Sequence, residues 1–130
     1  MNDEMLFQHF EENTLPLEDM THLLHIRIAW IYLKRMPLPE AMIGIRDGLR
    51  RFTIRASAPE KYHETITFSL LVLLAERMRR SPQLDWDGFV KANQDLLDNW
   101  KSGLEARYTA KVLYSEEARC GFLLPEARSA

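Results

Sequence analysis

Cysteine is almost absent from this sequence, and the single one, Cys120, has no second thiol with which to close a bridge. That excludes an internal disulfide framework and a Cys-pair metal site, and it points to a reducing compartment. A basic excess is missing too: 17 Lys and Arg stand against 19 Asp and Glu, for a net charge of −2. No broad positive field is available to draw the chain to phosphate backbones, so nucleic acid is not an expected partner. Long apolar runs are also lacking. The longest, Ile66 to Ala75, is interrupted by Thr67 and Ser69 and falls far short of the ~20 residues of a membrane span. The opening Met1-Asn2-Asp3-Glu4 is acidic where a secretory signal is basic. The expectation is a cytoplasmic protein, neither exported nor inserted in a membrane.

What the chain does have is a globular composition, 46% hydrophobic and 28% charged over 130 residues, enough for one continuous core. Apolar residues recur at three- and four-residue spacings, and strict alternation is scarce, so the class is all-α. The pattern predicts one helical domain over residues 1–130, a compact bundle of about five main helices with short terminal ones. A first short helix is expected over Glu4 to Glu11, with Met5, Leu6, Phe7 and Phe10 inward. A second ends near Met36 ahead of Pro37-Leu38-Pro39 and starts after either Thr14 or Thr21 as N-cap. A third should run from Pro39 to about Ile54. A fourth is expected from Glu60 or Lys61 to Arg80, before Ser81-Pro82. A fifth covers Asp85 to about Asp98, and the pattern weakens beyond Lys101-Ser102-Gly103 until a last helix with Ser115 as N-cap and Gly121 as stop.

The second and fourth helices carry apolar residues on several sides, as central helices do. So many apolar faces in a small domain make a homodimer an expected partner.

Polar residues interrupt those apolar faces. His22 and His25 lie one turn apart on the stripe of Ile26, Ala29 and Leu33, and His63 shares the stripe of Ile66, Leu70 and Leu74, with Glu64 beside it. A buried imidazole needs a partner, since leaving it unsatisfied costs about 1 to 3 kcal/mol. If the second, third and fourth helices run up, down, up, both histidine groups fall at one end of the bundle, where the third helix also delivers Arg50 and Arg51.

The expected site is therefore His22, His25, His63 and Glu64 as catalytic groups, with Tyr62, Thr67 and Arg50 holding a small polar molecule. Helix N-termini favour the neutral imidazole, which either ligates a metal or accepts a proton. In the first case His22, His25 and His63 would hold a divalent transition metal as cofactor. In the second they act as general acid and base. The residues leave both open, together with a non-catalytic interaction module whose histidines satisfy one another in the core.

The segments Thr21-His22-Leu23-Leu24-His25 and Tyr62-His63-Glu64-Thr65-Ile66-Thr67, with Arg46 to Phe52, Leu96 to Asp98, Tyr114 to Arg119 and Phe122 to Pro125, resemble a family of small uncharacterised bacterial helical proteins. The chain departs from that pattern at Met20, where Trp is usual, and at Lys61, where Gly is usual. The resemblance implies that the three histidines and Glu64 form one motif set, and it implies no activity.

Overall fold

The computed structural model describes residues 1–126, and among them there are helices and no strands. The first helix, α1 (Asp3–Glu12), is capped by the Asn2 side chain on the Met5 amide and stops at Asn13, which takes a left-handed conformation. Leu6 and Phe10 are buried as the periodicity requires, whereas Met5, expected inward, is exposed. A 3-10 turn at Leu17–Asp19 leads to α2 (His22–Arg35). Its N-cap is Thr21, which accepts the Leu24 amide, and Thr14 instead contacts His9.

Next comes α3 (Leu38–Arg55), entered by Pro37 and Pro39, then a 3-10 turn at Pro59–Lys61 and α4 (Glu64–Arg80). The fourth helix thus begins three or four residues later than the sequence predicts. Pro59 opens a separate turn, Tyr62 is extended, and His63 stands outside the helix as its cap. The expected fifth helix is two pieces, α5 (Trp86–Ala92) and α6 (Gln94–Asp98). Buried Asn93 divides them, its amide bonded to the Phe89 carbonyl and its oxygen taken by Arg77. Two short helices follow that the sequence did not signal, α7 (Trp100–Glu105) and α8 (Ala110–Leu113), before α9 (Glu116–Cys120) with Ser115 as cap.

One core cluster runs through these elements, with Tyr32, Tyr108, Leu74 and Leu104 fully enclosed. Helices α2, α3 and α4 touch one another pairwise. One cavity gathers the N-terminal residues of α2 and α4 with the C-terminal turn of α3, and another gathers the three opposite ends. The up-down-up order is what those two ends require. No helix among the described residues is long and apolar enough to cross a membrane.

The close approach of α1 and α2 to α3 depends on two glycines one turn apart. A Cβ on Gly44 would lie 2.6 Å from the Tyr32 ring, and one on Gly48 would lie 2.2 Å from that of Phe10. Those two rings meet edge to face at 5.7 Å, and both are buried, so neither has room to turn away. Gly48→Ala is expected to destabilise by about 1 to 2 kcal/mol, the overpacking outweighing the roughly 1 kcal/mol that Ala gains in helix propensity. Denaturant melts of this variant alone and with Phe10→Leu check it. The second change should recover part of the loss.

Candidate functional site

A cavity of about 480 Å³ opens between the N-terminal turns of α2 and α4 and the last turn of α3. His22 and His25 form one side, His63, Ile66, Thr67 and Leu70 the second, and Leu49, Phe52, Thr53 and Ala56 the third. Tyr62 and Lys61, from the turn before α4, and Trp100, from α7, complete the wall. The three histidines thus share one cavity, as the bundle topology predicts, but they differ in what their rings do.

His63 is fully occupied. Its Nδ1 accepts the Ile66 amide at 3.1 Å, which obliges Nε2 to carry the proton it donates to the Leu113 carbonyl at 2.7 Å. The ring is a neutral cap that ties α4 to α8, with neither nitrogen free for a metal or a substrate.

His22 and His25 are not occupied in that way. The His22 ring stacks on Trp100 at 5.3 Å, and its Nε2 is buried without a hydrogen-bond partner. Burial lowers its pKa, and a hydrogen bond to the Leu96 backbone works in the opposite direction. His25 keeps some exposed surface at the cavity wall, and its ring makes no hydrogen bond among the described residues. Desolvation, with a smaller repulsion from His22, pushes its pKa down to about 4. Both rings are therefore neutral near pH 7, as their place in the first turn of α2 also favours.

Glu64 does not line this cavity. Its buried carboxylate accepts the Tyr62 hydroxyl at 2.5 Å and pairs with Arg50 at 3.5 Å on the far side of the Tyr62 ring. Arg50 itself is half exposed and lies over that ring at 5.2 Å. Tyr62 is thus the wall between the cavity and an ion pair. Burial first, then its bond to Glu64, raises the phenol's pKa, while a hydrogen bond from Thr67 lowers it. Arg51 and Arg55 point elsewhere. They hold the backbone of Glu11 and Leu15, fastening the α1–α2 connection to the end of α3.

Among the described residues no group of three or more His, Cys, Asp or Glu is arranged to hold a metal ion. The donor chemistry gives a reason: His63 has spent both nitrogens and Glu64 is turned to Arg50, which leaves His22 and His25. Of the sequence-derived set, the structure brings together His22, His25, His63, Tyr62 and Thr67, and it separates Glu64 and Arg50 from them by one ring.

Met20, Phe52, Lys61 and Trp100 also line the cavity, and sequence reasoning did not assign them to a site. Trp100 lies just past the last strongly periodic segment, so nothing local marked it. Comparison with protein-family models, with curated proteins and with solved structures returned no match.

Proposed function

We propose that this chain binds a small polar metabolite in the cavity at the N-terminal ends of α2 and α4, with His22 and His25 as the groups that hydrogen-bond it and exchange a proton with it. The observation that carries the reading is two neutral imidazoles at an open cavity, His22 with its Nε2 unpartnered and His25 with no hydrogen bond among the described residues. A buried polar nitrogen left unpaired costs about 1 to 3 kcal/mol, and functional sites are where such costs persist. The volume, about 480 Å³, falls within the range of small-molecule sites, roughly 300 to 1,000 Å³.

The competing reading is a non-catalytic helical module whose histidines satisfy one another. His63 is structurally satisfied, but by the Ile66 amide and the Leu113 carbonyl rather than by another histidine. His22 keeps its Nε2 unpartnered, His25 makes no hydrogen bond among the described residues, and no His–His hydrogen bond joins them. A divalent metal held by His22 and His25 with ligand or water remains a variant of the same proposal, and His63 is not part of that ligand set.

Ligand-observed NMR with a panel of small polar metabolites tests the reading against wild type and Thr53→Trp. Thr53 is half-buried on the cavity wall, so the larger side chain fills the space without entering the core. Hits in the wild type that vanish in a folded variant are the expected result. An absence of hits, or hits indifferent to the substitution, would overturn it.

A further inference from the structure

Resting on that reading, we infer that the cavity takes a small carboxylic acid with a flat apolar body, its carboxylate directed to Lys61 and the His22–His25 pair and its body laid between Phe52, Tyr62 and Trp100.

Among the described residues lining the cavity none is acidic, and the one formal charge is Lys61. That side chain is exposed and has no ion pair or hydrogen bond within the described residues, unlike Arg27, Arg35, Arg46, Arg50, Arg77, Arg80 and Arg119, each of which is matched by a carboxylate. The backbone adds the same sign. Two helices of 14 and 17 residues present their N-terminal turns to the cavity, and helix N-termini carry partial positive charge. The third helix presents its negative end, but the carbonyls of Phe52, Thr53 and Ile54 are taken by the amides of Ala56, Ala58 and Ser57. The net field therefore favours an anion. Glu64, which would oppose it, is turned to Arg50 behind the Tyr62 ring.

Leu49, Ile66 and Leu70 offer no hydrogen bonds, and the rings of Phe52, Tyr62 and Trp100 supply flat apolar walls. A fully polar anion such as phosphate would leave that surface wet and gain nothing from it, whereas an apolar body buries it. A carboxylate also suits the donors. Neutral His25 offers an N–H, Lys61 offers a charge, and His22, whose other nitrogen bonds the Leu96 backbone, presents Nε2–H once it is protonated, which matches two oxygens on one carbon. As the anion enters, it favours the charged imidazole, so binding takes up protons and strengthens toward lower pH.

The experiment uses the full chain and four probes of matched size or charge: phenylacetate, phenylacetamide, benzylamine and acetate. Binding is followed by the histidine Cε1–H resonances and by tryptophan fluorescence. Phenylacetate is expected to bind at least ~10-fold more tightly than phenylacetamide, a difference of about 1.4 kcal/mol, with benzylamine and acetate weaker still. Lys61→Gln, at an exposed position, should erase most of the preference for the acid while leaving phenylacetamide unchanged. If phenylacetamide matches phenylacetate and neither responds to Lys61→Gln, the anion inference falls while the binding reading stands. If acetate matches phenylacetate, the apolar body is wrong. If no probe binds, the inference falls, and the metabolite panel with Thr53→Trp decides the wider reading separately.

Discussion

Lowering the pH from about 6.5 to 4 is expected to remove about 3 kcal/mol of stability through His25 alone. The folded chain holds this imidazole's pKa at about 4, against an ordinary value of 6.5, because the ring is desolvated and faces His22. As the pH falls below 6.5 the unfolded chain takes up the proton first, while the folded chain resists it until about 4. Stability is therefore fully present above that window and lost through it on acidification. His22, also lowered by burial, acts in the same direction. Carboxylates titrate near the bottom of the same range, so the informative quantity is a difference between proteins. Urea midpoints of wild type and His25→Leu, measured from pH 7.5 to 4, should converge or cross as the pH falls, the variant losing much less. Parallel curves would mean that His25 is hydrated in solution and that burial does not hold its pKa down.

Replacing His63 by alanine should cost about 2 to 3 kcal/mol, combining a lost N-cap, typically about 1 kcal/mol, with a Leu113 carbonyl deprived of its donor. In a chain of 130 residues that corresponds to a fall in Tm of roughly 10 °C. The two contributions separate with a second variant. Asn is a good N-cap and can accept the Ile66 amide, but it is too short to reproduce a ring that reaches both Ile66 and Leu113. His63→Asn should therefore recover about half of the loss. Thermal melts at pH 7 check both variants. An alanine variant as stable as wild type would contradict the cap and return His63 to the list of groups available for chemistry.

The bundle was legible because its signals are local and repetitive. Thr21, Asp85 and Ser115 act as the N-caps their residue types favour, and α3 obeys its prolines within a residue or two. The start of α4 was not legible, because histidine is an uncommon cap and Glu60-Lys61 reads as a helical first turn. That error matters for the site. Inside a helix His63 would have presented its ring to the cavity, whereas as a cap its ring is committed to backbone. Glu64 was misplaced for a related reason: a wheel assigns a face, but which neighbour fills that face depends on Tyr62 and Arg50. Among the C-terminal helices α9 was legible from Ser115 and Gly121, whereas α7 and α8 were missed because elements of six and four residues hold too few turns for periodicity to register. Leu104, Tyr108 and Leu113 are buried all the same.

The way those late elements attach to α4 bears on the order in which the molecule assembles. His63 bonds to Leu113, Thr65 to Gly121 and Leu123, and Ser69 to Tyr108, which in turn holds Leu123. Partners along this seam are separated in sequence by 50, 56, 58 and 39 residues. Closing loops of that length costs entropy before any bond forms, so the seam is expected to form after α2, α3 and α4 have met through shorter connections. The seam also buries Leu104, Tyr108, Leu113 and Ala118 completely or nearly so, so opening it exposes core. Because His63 and Thr65 belong to the turn that begins α4, undocking the C-terminal helices would also release the wall of the cavity, so hydrogen exchange is expected to report the two regions opening together.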